Sequence, residues 1–255
     1  MHGFIVPTWC VALIFSGVAF FYSSVGLGGG SSYTALMAVF GAGVEVIPIL
    51  SLTLNVLVSS IGSLLFLRYR HLRLRLLVPF LVSSIPMAYF GGKVFLPRRW
   101  FYGLLLVSLL FAAVRIYFFP GEMDRVFWEP RRRILISLVS GGILGFLAGA
   151  VGIGGGIYLV PLILLVGLGT TKEAAACGAV FVWVNSISGL LARFRFHPID
   201  MTHYLPVIFA VLVGGSAGAF FGAGRFSPRK MQRILGMILI VAVLLLARKI
   251  FLLSS

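Results

Sequence analysis

The sequence predicts an all-α integral membrane protein of two related halves, and three observations carry that expectation. Apolar runs of membrane length recur along the chain, a GxGGG break interrupts two of them, and the basic residues lie almost wholly between the runs. Of 255 residues, 60% are hydrophobic and 11% are charged, with a mean hydropathy of +1.09; soluble domains carry about 25% charged residues. Runs such as Phe4 to Phe21 and Trp100 to Phe118 approach the ~20 residues that a hydrocarbon layer requires. They show neither the alternation of a strand nor the wide polar stripe of a surface helix.

In chain order, the first half opens with an apolar segment over 4–24. Its start lacks a Lys or Arg region and a small-residue cleavage site, so it reads as a retained first helix, not a signal peptide. Four glycines within 26–30 then oppose a continuous helix, each costing about 1 kcal/mol relative to Ala. A shorter apolar segment follows over 31–43, and longer ones over 46–67, 76–96 and 100–119. The linker from Pro120 to Arg133 holds three of the six acidic residues and divides the chain into halves 1–124 and 125–255. The second half repeats the plan over 134–151, 156–169, 173–192, 203–222 and 231–253, with its break at 152–156.

The halves align residue by residue. VGLGGGSSYTALMAVFGAG matches VGIGGGIYLVPLILLVGLG, with Gly28, Gly29 and Gly30 on Gly154, Gly155 and Gly156, 126 positions on (154 minus 28). Glu45 finds Glu173, His71 finds His197, and FLPRRWFYGLLL finds FSPRKMQRILGM. Each half thus contributes four to five membrane segments. With five crossings the second half is inverted relative to the first; with the short segment only re-entrant, four cross and the halves are parallel. The inverted repeat is the expected arrangement. It gathers Arg68, Arg70, Arg73, Arg75, Arg125, Arg131 to Arg133, Arg225, Arg229, Lys230 and Arg233 on one side, which the bias of basic loops makes cytoplasmic.

Several functions are excluded. The net charge of +15 belongs to loops that set topology and meet anionic headgroups, so nucleic acid is not a partner. GLGGGS lacks the third glycine of a dinucleotide fingerprint and follows no strand. Cys10 and Cys177 share no motif spacing, and His71, His197 and His203 have no partner at metal-ligand spacing, so neither a cofactor nor a metal is expected. No nucleophile elbow, metalloprotease motif or paired carboxylate suggests an enzyme.

The breaks carry the functional expectation. In hydrocarbon an interrupted backbone is tolerated only where it is buried in protein or lines a polar cavity. If helix resumes at Ser31 and Ile157, the free amides and the positive end of the helix dipole face that cavity and favour an anion. The candidate substrate-binding residues are Gly28, Gly29, Gly30, Ser31 and Ser32 at the first break, and Gly154, Gly155, Gly156, Ile157 and Tyr158 at the second. Asn55 and Asn185, each midway along its third segment, can donate to anion oxygens or bond across helices. The isolated glycine pairs spaced GxxxG, such as Gly141 with Gly145, Gly145 with Gly149 and Gly214 with Gly218, serve close helix packing; Gly26 and Gly30 share that spacing, but their break is read as part of the substrate site. Glu45 and Glu173 stand at segment starts, where a carboxylate complements the helix dipole, and Thr170 with Glu173 has capping-box spacing.

The chain resembles the TauE/SafE family, also called the sulfite exporter or TSUP family. The resemblance is carried by AGAVGIGGGIYLVPLILLVGLGTTKEAAACGAVFVWVNSISGLLARFRF, by its counterpart SSVGLGGGSSYTALMAVFGAGVEVIPILSLTLNVLVSSIGSLLFLRYRHLRLR, and by the PRR and PRK turns before the last segment of each half. It implies a multi-pass transporter of the cell membrane, acting on sulfite, sulfonates or related organosulfur anions. The family's glycine motif falls on Gly26, Gly28, Gly29 and Gly30 and on Gly152, Gly154, Gly155 and Gly156, with its following proline at Pro161. Ala35 stands where that proline would be in the first half, and Ser31 with Ser32 replaces Ile157 with Tyr158. The expected function is alternating-access transport of a small anion with largely neutral donors, among membrane lipid and with room for a coupling proton or ion. An anion channel and a membrane scaffold without flux are the rivals.

Overall fold

A computed structural model describes residues 4, 6–24, 28–68, 72–118, 129–222 and 228–254. Gly26, Arg70, His71, Arg125, Arg225 and the boundary between 124 and 125 lie outside them. The described residues form ten α-helices and no strand. They are α1 (Thr8–Ser24), α2 (Gly30–Val39), α3 (Val46–Arg68), α4 (Leu74–Lys93), α5 (Arg98–Phe118), α6 (Pro130–Val151), α7 (Gly156–Leu165), α8 (Thr171–Phe196), α9 (Leu205–Gly222) and α10 (Pro228–Ser254). A single 3-10 turn, Thr202–Tyr204, leads into α9. The helix bounds follow the apolar runs, and helix resumes after each break at Gly30 and Gly156, one residue earlier than expected.

Five of these helices are long and apolar enough to cross a membrane: Val46–Leu64, Leu74–Lys93, Pro130–Val151, Lys172–Phe196 and Thr202–Phe221. The outer surface agrees with a lipid solvent, since Phe220 is 82% and Phe209 70% exposed. The two short helices, α2 and α7, have 10 residues each. At 1.5 Å per residue that is ~15 Å, about half a hydrocarbon layer. Neither crosses alone.

Packing exchanges the halves. The first helix of each half lies on the fourth helix of the other, α1 on α9 and α6 on α4. Gly141, Gly145 and Gly149 of α6 face Phe80, Ser84 and Ala88 of α4, and Gly214 and Gly218 of α9 face Ser16 and Phe20 of α1. A β-carbon on any of these five glycines would fall on the facing backbone carbonyl. The spacing therefore serves backbone contact between helices that run in the same direction, the packing use of small residues in membranes.

The third helices, α3 and α8, pack against each other and are the most buried of the five membrane-length helices. Leu52 of α3 meets Gly189 of α8, whereas Asn55 and Val182 flank the same glycine, Gly28. Rising numbers on one helix meet falling numbers on the other, so the two run in opposite directions.

The helix starts differ between the halves. Thr170 and Glu173 form a complete capping box at α8, and Arg73, at the N-cap of α4, pairs with Glu173 at 3.5 Å. Glu45 instead lies exposed on the turn before α3, whose first turn contains no acidic residue. The helix α8 also runs to Phe196, four residues past the expected end, which draws Arg193 and Arg195 into the helix. His197 joins the ends of α8 and α4, its Nε2 lying 2.9 Å from the carbonyl oxygen of Lys93.

Candidate functional site

At both breaks a left-handed glycine restarts the helix. Gly29 precedes α2 with φ 82°, and Gly155 precedes α7 with φ 84°, neither with a capping side chain. That backbone region costs L-residues roughly 1–2 kcal/mol, and glycine nothing comparable. The first intrahelical bonds run from Ser32 N and Tyr33 N to Gly29 O, and from Tyr158 N and Leu159 N to Gly155 O. The amides of Gly30, Ser31, Gly156 and Ile157 precede them and have no helical carbonyl to serve. Each break thus places amide donors that its own helix does not use at a helix start.

The breaks meet on Asn55. This residue is fully buried in α3, and neither its Nδ2 nor its Oδ1 has a hydrogen-bond partner. A β-carbon on Gly28 would stand 2.8 Å from Asn55 Oδ1, one on Gly154 would stand 2.8 Å from Asn55 Nδ2, and one on Gly30 would fall on Asn55 Nδ2. Glycine is required here because a buried amide and two backbones share one small space. Gly30 also approaches the carbonyl oxygen of Ile153, 2.5 Å from where a β-carbon would be, so the two breaks touch directly.

From α8, Val182 stands beside Gly28, Gly154 and Gly156, and Ser186 Oγ lies by Gly154. Ser186 is fully buried and its hydroxyl also has no partner. An unpartnered buried amide or hydroxyl costs about 1–3 kcal/mol. Two of them converging on one spot, beside the amides that open the helices, make a donor set for a small polar guest.

Not every residue singled out in the sequence joins this cluster. Asn185 donates Nδ2 to Phe181 O at 2.9 Å within its own helix; the neighbouring Ser186 takes the place facing the break. Ser31 and Ser32 lie 3.3 and 2.8 Å from the Tyr22 hydroxyl of α1, which ties α2 to the helix before the break. Tyr158 is buried with its ring 6.1 Å from that of Phe111 on α5, and Ile157 is partly buried against the main core. Among the described residues no group of three His, Cys, Asp or Glu side chains can hold a metal.

Arg193 is the functional candidate that the sequence concealed. It is 2% exposed, and its Nη2 donates to Ala150 O at 2.7 Å and to Gly149 O at 3.4 Å. These carbonyls belong to the last turn of α6, immediately before the second break. A cation there complements the negative end of the helix.

The profile of the family described as sulfite exporter TauE/SafE matches residues 11–246. A probable membrane transporter protein, y4hK, of Sinorhizobium fredii is 33% identical over 235 residues, covering 91% of this chain and 95% of its own. A probable membrane transporter protein of Xylella fastidiosa is 35% identical over 121 residues, 45% of this chain and 44% of its own. YunE of Bacillus subtilis, also named a probable membrane transporter protein, is 28% identical over 97 residues, 38% of this chain and 33% of its own. No solved structure matches.

Proposed function

This chain belongs to the TauE/SafE sulfite exporter family of multi-pass membrane transporters, and from that premise we propose that it carries a small sulfur oxyanion by alternating access. The substrate is sulfite, a sulfonate or a related organosulfur anion, bound where the two glycine breaks meet. The single observation behind this reading is Asn55, a buried amide without partners held between both breaks. An anion accepts from donors and offers none. Asn55 Nδ2, the Ser186 hydroxyl and the amides that open α2 and α7 are donors, and the amides bring the positive ends of two helices with them.

The opposed directions of α3 and α8, and the exchange of first and fourth helices, support an inverted repeat with the site between its halves. Broken helices meeting near mid-depth are the arrangement that lets one bundle rock against the other around a bound ligand. The side carrying Arg73, Arg75 and Arg131 to Arg133 is the cytoplasmic one in this reading.

The test is a screen of purified protein against sulfite, thiosulfate, sulfoacetate, taurine and sulfate by thermal stabilisation, followed by uptake into liposomes. Selective stabilisation and accumulation against a gradient are expected. Flux that only equilibrates would make the protein a channel. Absence of binding and flux for every sulfur anion would overturn the proposal.

A further inference from the structure

Among the described residues Arg193 is the charged side chain in the buried interior, and its protein partners are neutral. Nη2 is spent on the carbonyls of Gly149 and Ala150, while Nε is buried without a partner. The carboxylates that hold arginines do so elsewhere, Glu173 with Arg73 and Glu129 with Arg132. A cation taken out of water is costly unless an opposite charge joins it. Two carbonyls satisfy part of the guanidinium and neutralise none of it.

The position of this charge relates it to the break. Val182, Ser186, Gly189 and Arg193 are spaced by four, three and four residues and so occupy one face of α8. Val182 and Ser186 face the break, Gly189 lies on Gly149, and Arg193 holds the last turn of α6. Seven residues along a helix place Arg193 roughly 10 Å from the level of Ser186. Beyond it, Lys93 and Arg195 are exposed, both over the Phe196 ring at 5.0 and 5.9 Å. This face of α8 therefore leads from a buried cation to neutral donors, and the exposed Lys93 at the end of α4 and Arg195 on another side of α8 lie at the same end of the helix pair as Arg193.

We propose that Arg193 is the charged contact of the substrate path, receiving the anion between the mouth at the ends of α4 and α8 and the break at Asn55. It acts there through Nε and the guanidinium donors that α6 does not use. This inference rests on the anion-transport reading and adds a fixed positive charge to a site otherwise built from neutral donors.

The test uses the full chain in liposomes, with labelled sulfite and sulfoacetate as probes. Charge-assisted hydrogen bonds are the strong class, so Arg193→Gln is expected to raise KM about 10- to 100-fold, with Vmax little changed and Arg193→Lys largely restoring KM. A role confined to capping α6 predicts the reverse, a lowered melting temperature or Vmax with KM unchanged, and that result overturns the inference. Phenylglyoxal labelling of the wild-type protein gives a second readout that needs no variant. Sulfite is expected to protect Arg193; equal labelling with and without sulfite, or none at all, counts against the proposal. Absence of uptake by the wild type fails the transport reading itself, whereas wild-type uptake with an unchanged KM in Arg193→Gln fails this inference alone.

Discussion

Asn55 of α3 and Gly154 of the second break are in direct contact, so close that a β-carbon on Gly154 would stand 2.8 Å from Asn55 Nδ2. A residue of the first half thereby lies against the broken backbone of the second. That contact is what the proposed site rests on, and the first prediction follows from it.

Asn55→Leu keeps the approximate volume and removes an amide that has no partner. Relief of an unsatisfied polar group is worth about 1–3 kcal/mol, so the variant should melt at or above the wild-type temperature. Sulfur-anion uptake should fall at least about tenfold, the loss of one or two donors. Normal uptake by a stable Asn55→Leu protein would remove Asn55 from the site.

Gly155→Val places a β-branched residue at φ 84°, and its β-carbon would stand 2.7 Å from Phe181 Cε1. The backbone strain alone is roughly 1–2 kcal/mol. Uptake should be abolished while the protein still inserts and elutes as a folded species; size-exclusion profiles and liposome flux measure the two. Retained transport would sink the cavity.

Gly145→Leu drives a side chain into the Ser84 carbonyl at the α4–α6 interface. Overpacking of this kind costs about 1–3 kcal/mol or more, and the expected signature is a lower melting temperature. Gly103→Ala is the control, because a β-carbon there meets nothing within 4 Å. It should stabilise by up to about 1 kcal/mol through helix propensity. Equal melting temperatures for the two variants would contradict the packing.

Thr170→Ala breaks the capping box of α8, a loss of about 1 kcal/mol. Glu173→Gln keeps a capping acceptor and gives up the pair with Arg73, which is 41% exposed and worth about 0–1 kcal/mol. Hydrogen exchange in the first turn of α8 should rise more for Thr170→Ala than for Glu173→Gln. The reverse order would make the ion pair, not the cap, the anchor of that helix start.

Much of this protein was legible in its sequence. Helix bounds followed apolar runs because in hydrocarbon a segment must satisfy its own backbone. The glycine breaks were legible because nothing else in a membrane segment explains so many glycines in five positions. The GxxxG pairs at Gly141, Gly145 and Gly214 were read as packing, and each lies against a facing carbonyl.

Rotation and depth were not legible. Asn55 and Asn185 hold similar places in their segments, yet Asn55 points between the breaks and Asn185 bonds to Phe181 in its own helix. One residue is about 100° of helix rotation, and the sequence does not give the angle at which α3 and α8 cross. That angle selected Ser186 over Asn185. Arg193 falls just past the expected end of its apolar segment, and the sequence gives no sign of its burial, because its partners, two carbonyls of the last turn of α6, lie 43 and 44 positions away. The sequence by itself determined the solvent and the places where helices break, since each follows from local composition. Only the tertiary structure decided which polar groups share the space between the breaks, because that depends on how the helices pack.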